Sequence, residues 1–272
     1  GWRMTVTGLI RAATISRQDA EALLATVLEV ERAWIYAHGD EQVNPGNIDR
    51  FRKMAAARAD GEPLAYLLGY RDFWTLRLRV NRDVLIPRRE TEHLVEWANE
   101  CITAGARRVL DLGTGSGAVA LSCKAEHPEA GVCATDLSPK ALACARANGD
   151  DLNLSVDWRE GDWFDAVPGE RWQLILSNPP YIAATAPHLD EGDLPAEPAR
   201  ALISGKTGLE SLRHIIGRAP DFIEPGGWLL LEHGFDQASP LQEALFAEGF
   251  STISTRRDWS GQERITGGQW LS

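Results

Sequence analysis

The sequence predicts an α/β protein: a doubly wound, mostly parallel sheet with a terminal antiparallel hairpin, preceded by a small helical bundle. Three observations predict it. Up to about Gly69 the apolar residues keep helical spacing and no strand signal occurs. From Arg107 onward, short β-branched or leucine-rich runs alternate with helical stretches, the pattern of a parallel sheet covered on both faces. Two last short runs, 250–257 and 263–270, follow the final helical stretch and can pair as a closing hairpin.

In the N-terminal part, Ala20, Leu23, Leu24, Val27 and Leu28 recur on one helix face. Breaks at His38-Gly39, Asn44-Pro45-Gly46 and Asp60-Gly61-Glu62-Pro63 divide the region into short helices. Phe73 to Val80 then alternates apolar and polar residues, the period of a half-buried strand. Asn81-Arg82-Asp83 reads as the turn from it into a partner strand, Val84-Leu85-Ile86. The expected division is a helical domain over 1–69, a hairpin linker over 70–86 and an α/β domain over 87–272. In the last, strands are expected at 107–112, 131–135, 154–158, 172–177 and 226–232, and helices at 116–126, 138–148, 206–222 and 237–248. The connection 182–205, rich in Pro, Ala and acids, is long for a structureless link and is a candidate active-site loop.

With 272 residues, 44% of them hydrophobic, the chain can bury a large core. Its 28 Lys and Arg against 39 Asp and Glu give a net charge of −11, which opposes sequence-independent binding to nucleic acid phosphates. There is no run of about 18 apolar residues to span a membrane. The start lacks the charged-then-apolar layout of a secretory signal, so a cytoplasmic protein is expected. The four cysteines form no C-x-x-C pair and the six histidines show no ligand spacing; free thiols and no metal site are expected. Gly1-Trp2-Arg3, ahead of Met4, reads as an addition outside the fold.

Three places carry chemistry. Val109 to Gly117 is a strand running into a glycine-rich turn and then a helix, where missing Cβ atoms let a ligand touch backbone and the helix start offers free N–H groups. Its spacing is G-x-G-x-G, not the G-x-G-x-x-G of dinucleotide binders, and no P-loop lysine follows, so the ligand need not carry phosphates. Asp136 ends the second strand, where a carboxylate can take both hydroxyls of a ribose, while Ser138-Pro139 competes with it as the helix cap. After the third strand, Asp162-Trp163 offers an aromatic wall to an adenine ring, with core packing as the alternative use of the indole.

Asn178-Pro179-Pro180-Tyr181, directly behind the apolar run Leu174 to Ser177, is the most informative stretch. Two prolines fix φ and delete two backbone donors, Asn178 adds a side-chain acceptor, and Tyr181 a flat face. Such a turn suits a planar N–H₂ group. A DNA adenine amine would fit as well, but the acidic charge opposes it. A nicotinamide-dependent oxidoreductase is disfavoured by the glycine spacing and leaves this tetrapeptide unexplained.

In their order and spacing, a set of motifs makes the chain resemble the PrmC/HemK family of protein-(glutamine-N5) methyltransferases that act on peptide chain release factors. They are Arg71-Asp72-Phe73-Trp74, Leu85-Ile86-Pro87-Arg88, Thr91-Glu92, Asp111 to Gly117, Asp162-Trp163-Phe164, Ser177 to Tyr181, Glu197-Pro198 and Leu231-Glu232-His233-Gly234. The resemblance implies a Rossmann-like domain that uses S-adenosyl-L-methionine and releases S-adenosyl-L-homocysteine. It implies that Gly113, Thr114, Gly115, Ser116 and Gly117 line the methionine and ribose region, that Asp136 holds the ribose, and that Trp163 meets the adenine. It also implies that Asn178 touches cofactor and substrate alike. Asn178, Pro179, Pro180 and Tyr181 would hold the glutamine of a Gly-Gly-Gln motif, with Asn178, Pro179 and Tyr181 catalytic, and the N-terminal bundle would dock the release factor. Glu92 and Glu197 are secondary candidates for ordering the substrate loop. Arg89 and Ala196 depart from the family pattern, which usually has a proline and an aromatic there. Gly267-Gly268-Gln269 matches the substrate's own tripeptide and is read as coincidence within a closing strand.

Overall fold

The computed structural model describes residues 4–272, so Gly1-Trp2-Arg3 lies outside the described residues. The chain divides into two compact units, 1–70 and 71–272.

The first unit is helical, with α1 (Val6–Ala12), α2 (Arg17–Leu28), α3 (Arg32–Ala37), α4 (Pro45–Ala59) and α5 (Leu64–Leu68). Local chemistry sets their starts. Ser16 caps α2 by accepting Asp19 N–H at 3.1 Å, and Asn44 caps α4 ahead of a proline in its first turn. Ala20, Leu23, Leu24 and Val27 of the periodic face are buried around Phe51 and Leu9, and each leucine side chain is worth about 1.5–3 kcal/mol of burial.

A hairpin follows, β1 (Tyr70–Phe73) and β2 (Leu76–Arg79). This corrects the expected register: the turn is Trp74-Thr75, not Asn81-Arg82-Asp83, and Val84 to Ile86 does not form a strand. Trp74 takes φ +55°, uncommon for a bulky residue. Long-range bonds hold it there: its N–H donates to Glu92 Oε1 and its indole N–H to Glu126 Oε1, both at 2.9 Å. Alternation alone could not show that the chain reverses inside the apolar run.

After α6 (Glu92–Thr103) comes the sheet, built from β3 (Arg108–Leu112), β4 (Gly131–Asp136), β5 (Asp157–Glu160), β6 (Trp172–Ser177), β7 (Ile223–Glu232), β8 (Ser251–Arg257) and β9 (Glu263–Gln269). The order is β5-β4-β3-β6-β7-β9-β8, parallel except for β9, which runs antiparallel to both neighbours. The expected doubly wound sheet with its terminal hairpin is therefore observed. The helices are α7 (Ala118–Glu126), α8 (Pro139–Leu152), the one-turn α9 (Ala199–Leu202), α10 (Glu210–Arg218) and α11 (Ala238–Glu248). One core packs α6 and α7 against one sheet face through Val109, Val132, Leu174 and Leu176; a second packs α10 and α11 against the other through Leu110, Ile175, Leu229 and Leu231.

Several boundaries shift: β7 begins at 223 instead of 226, α8 runs on to 152 instead of 148, and two elements move at both ends for a local reason. The strand expected at 154–158 forms over 157–160, because Leu154 and Val156 pack on the core before the chain joins β4. The helix expected over 206–222 is confined to 210–218. Gly208 at φ +79° interrupts its start, and Pro220 lies in the turn after its end. All four cysteines are free and buried. Among the described residues, no helix is long and apolar enough to cross a membrane.

Gly267-Gly268 has a packing reason. A Cβ at Gly267 would lie 2.7 Å from both Leu230 and Trp97, and one at Gly268 3.0 Å from Phe250, while Gln269 donates to the Gly226 carbonyl at 3.1 Å. The tripeptide is part of the sheet.

Candidate active site at the carboxyl ends of the parallel strands

The strand order reverses between β3 and β6, and a cavity of about 450 Å³ opens where their carboxyl ends diverge. β3 supplies the turn at its rim. Gly113, Gly115 and Gly117 all have positive φ, but for different reasons. A Cβ on Gly113 would press on the Trp163 ring at 3.2 Å, whereas Gly115 has open space beside it and donates its N–H to Asp136 Oδ2 at 2.9 Å. Gly117 is a packing glycine: a Cβ there would meet Trp158 at 2.9 Å and Leu121 at 3.0 Å, and it does not line the cavity. Thr114 and Ser116 do.

Asp136, at the end of β4, also lines the cavity. Ser138 takes the capping role, accepting Ala141 N–H at 3.2 Å. Asp136 Oδ1 instead accepts Ser138 N–H at 2.9 Å, so each carboxylate oxygen holds one backbone donor and keeps capacity for another. Burial, opposed by these N–H bonds, holds its carboxyl above the usual value. Trp163 is half-buried at φ +49° and forms part of the wall with the exposed Asp162.

Two further wall residues, Asp111 and Thr135, have no role assigned from the sequence, although Asp111 belongs to the glycine-turn motif. Asp111 is buried in β3, accepts the Thr114 hydroxyl at 2.7 Å and is pushed up to about 7, mainly by burial. Thr135, just before Asp136, is fully buried, yet its hydroxyl has no partner among the described residues. Only its place beside Asp136 could have signalled it.

Behind β6, Asn178 and Pro180 line the cavity; Pro179 is buried beside it, and Tyr181 lies outside the wall. Asn178 Nδ2 donates to Thr91 Oγ1 at 3.4 Å, Thr91 donates to Glu232 Oε2 at 2.7 Å, and the Tyr181 hydroxyl donates to Glu232 Oε1 at 3.3 Å. The Tyr181 carbonyl is held by Gln237 Nε2 at 2.9 Å, and glycine is needed at 208 because a Cβ would come within 2.5 Å of that carbonyl.

Two further walls come from irregular chain. The strip after β2 contributes Val84, Leu85 and Pro87, and the 182–205 connection contributes Pro198, Arg200 and Ile203. That connection is closed at its base, where Ile182 bridges Ile203. Glu197 is buried and takes the Ile86 N–H and the Arg88 guanidinium, so it orders this connection and is no surface ion pair. Glu92 bonds to Trp74 instead.

Residues 2–69 match the model of the PrmC N-terminal domain, and residues 91–193 that of the methyltransferase small domain. The release factor glutamine methyltransferase of Xylella fastidiosa is 48% identical over 265 residues, covering 96% of each chain. That of Bordetella pertussis is 46% identical over 256 residues, covering 93% of this chain and 95% of its own. A solved methyltransferase from Pyrococcus furiosus, 17% identical, aligns with TM-score 0.54 over 72% of this chain and 89% of its own, a likeness of fold. Shared identity of this extent through both units means that the chain belongs to the release factor glutamine methyltransferase family.

Proposed function

We propose that this protein transfers the methyl group of S-adenosylmethionine to the side-chain amide nitrogen of the glutamine in the Gly-Gly-Gln motif of a release factor. One observation carries the reading: Asn178 and Pro180 share a single cavity with Gly113, Gly115, Asp136 and Trp163. Acceptors suited to an amine and groups suited to a nucleoside therefore face the same space.

The wall fits S-adenosylmethionine on several counts. The cavity is within the range for a ligand of that size. The carboxylates of Asp111 and Asp136 favour a cationic sulfonium or ammonium, and the Thr135 hydroxyl, without a partner among the described residues, could take a hydrogen bond from or to the ligand. Gly113, Thr114, Gly115 and Ser116 would line the methionine and ribose, Asp136 would take the ribose hydroxyls, and Trp163 would meet the adenine. When bound, the cofactor supplies an electrophilic methyl group.

The protein's task is positioning and charge stabilisation. An amide nitrogen is a weak nucleophile whose lone pair is shared with its carbonyl, and no side chain here can deprotonate it near neutral pH. Positive charge grows on nitrogen during transfer, so fixed acceptors around its N–H groups stabilise the transition state more than the ground state. Asn178 Oδ1 is the first acceptor. The Pro179 carbonyl, bonded to the nitrogen of the wall residue Pro180, is the second. Tyr181 acts from behind the wall, through Glu232. We assign docking of the release factor to the N-terminal helical unit, since one glutamine side chain gives too little recognition area.

The test uses labelled S-adenosylmethionine and a release factor. Label on the wild-type factor, none on a factor with its Gly-Gly-Gln glutamine replaced, and loss of most of kcat in Asn178→Ala with calorimetric cofactor affinity largely kept are the expected results. Equal transfer by Asn178→Ala overturns the reading.

A further inference from the structure

Glu232, through which Tyr181 acts, is 1% exposed at the carboxyl end of β7, beside the site. Its surroundings set the direction of every hydrogen bond between it and Asn178. A carboxylate can only accept. Glu232 therefore takes the Thr91 proton through Oε2 at 2.7 Å and the Tyr181 proton through Oε1 at 3.3 Å. Thr91, its one hydrogen spent, can only accept from Asn178, at 3.4 Å. The Asn178 amide must then turn Nδ2 toward Thr91, which leaves Oδ1 for the opposite side.

We propose that Glu232 is a positioning residue for methyl transfer: as a carboxylate it fixes, through Thr91, the amide orientation in which Asn178 presents its oxygen to the substrate nitrogen. The inference rests on the function proposed above. Protonated Glu232 can donate to Thr91, Thr91 can then donate to Asn178, and the amide is free to turn over. Inverted, Asn178 presents two N–H groups to an amide that itself has two N–H groups to give, a donor-to-donor clash at the reacting atom.

The groups facing Glu232 are consistent with a carboxyl that changes state near neutrality. Burial pushes it up to about 7 and Glu90 adds to that, while Thr91, Arg264 and Tyr181 oppose it. Arg264 is itself engaged by Asp258 at 3.0 Å, and Arg88 bears on Tyr181. Proton uptake at Glu232 would switch the donor pattern without moving the backbone.

The experiment measures kcat from pH 5.5 to 8.5, with saturating S-adenosylmethionine and release factor, for wild type, Glu232→Gln, Thr91→Val and Thr91→Ser. Cofactor Kd by calorimetry and Tm serve as folding controls. Expected for the wild type is a rate that falls below about pH 7 with a single protonation. Glu232→Gln, whose amide can donate to Thr91, and Thr91→Val, which lacks the relay hydroxyl, should each lose roughly 10- to 100-fold in kcat. Both should be flat with pH and keep Kd within about threefold, since the relay touches the acceptor of the substrate amide. Thr91→Ser should restore the pH limb and most of the rate. If the wild type transfers methyl groups but Glu232→Gln or Thr91→Val keeps the wild-type pH profile, the relay is wrong and the proposed function stands. No transfer by the wild type overturns both.

Discussion

Glu197 accepts the backbone N–H of Ile86 at 3.0 Å across 111 residues of sequence, and its other oxygen takes the Arg88 guanidinium. It thereby ties the 182–205 connection to the strip after β2 that forms another wall of the cavity. Ile86 is buried and Arg88 only partly exposed, and Arg88 also donates to the Ile86 carbonyl at 2.9 Å.

Glu197→Ala leaves the buried Ile86 N–H without an acceptor and the partly buried Arg88 guanidinium with only the Ile86 carbonyl, at 2.9 Å, at a cost of about 2–4 kcal/mol. The variant should lose several degrees of Tm and be cut much faster within 182–205 under limited proteolysis. Glu197→Gln keeps an acceptor for Ile86 and should show a smaller change. Unaltered cleavage in Glu197→Ala would mean that the connection is held elsewhere.

Gly115 and Gly117 should separate binding from stability. Alanine at 117 combines left-handed strain, at φ +86°, with a Cβ 2.9 Å from Trp158, together about 2–4 kcal/mol. Its main effect should be a Tm drop of roughly 5–10 °C. Alanine at 115 meets open space and bears only the strain of φ +56°, about 1–2 kcal/mol, but it places a methyl at the cavity wall. S-adenosylmethionine Kd should rise roughly 10-fold or more for Gly115→Ala, with a modest Tm change. A reversed pattern in calorimetry and thermal unfolding would reject the division of roles.

Much of this was legible from the sequence because period and punctuation report local facts. The Leu174 to Ser177 run followed by two prolines marks a strand end, and the glycine turn after Leu112 marks another, so the site's two halves could be named before their distance was known. What periodicity cannot carry is pairing at long range. Trp74 reverses the chain only because Glu92 and Glu126 hold it, and Glu232 meets Thr91 from 141 residues away. Gly117 shows the converse: a motif position that looks like ligand contact is set by Trp158 packing behind it.

Asp111 and Glu232 give a pH dependence of stability in the ligand-free protein. Both carboxyls are raised to about 7 by burial. Between roughly pH 4.5 and 7 the folded chain therefore holds protons that the unfolded chain has released, and stability contributed by these groups falls as pH rises through that window, then levels. His233 acts oppositely: burial lowers its pKa, so it favours the fold increasingly up to the unfolded value near 6.5. Asp111→Asn keeps an acceptor for Thr114 and removes one titrating group. Its Tm should decline between pH 5 and 8 by a few degrees less than that of the wild type. Parallel Tm curves in differential scanning calorimetry would rule out Asp111 as a source of the slope.

Thr135 tests whether the fold carries a burden for its ligand. Its hydroxyl is fully buried and unpartnered among the described residues, a desolvated polar group that costs about 1–3 kcal/mol when nothing pairs with it. Valine has nearly the same shape and no polar atom, so Thr135→Val should raise the Tm of the ligand-free protein by roughly 2–4 °C. If that hydroxyl meets the cofactor, the same change should weaken S-adenosylmethionine binding, by roughly 5- to 10-fold for one neutral hydrogen bond. Stability and affinity then move in opposite directions in a single variant, which a packing defect cannot produce. A Tm that falls, or a Kd that stays, would show that the Thr135 hydroxyl serves the sheet and not the ligand.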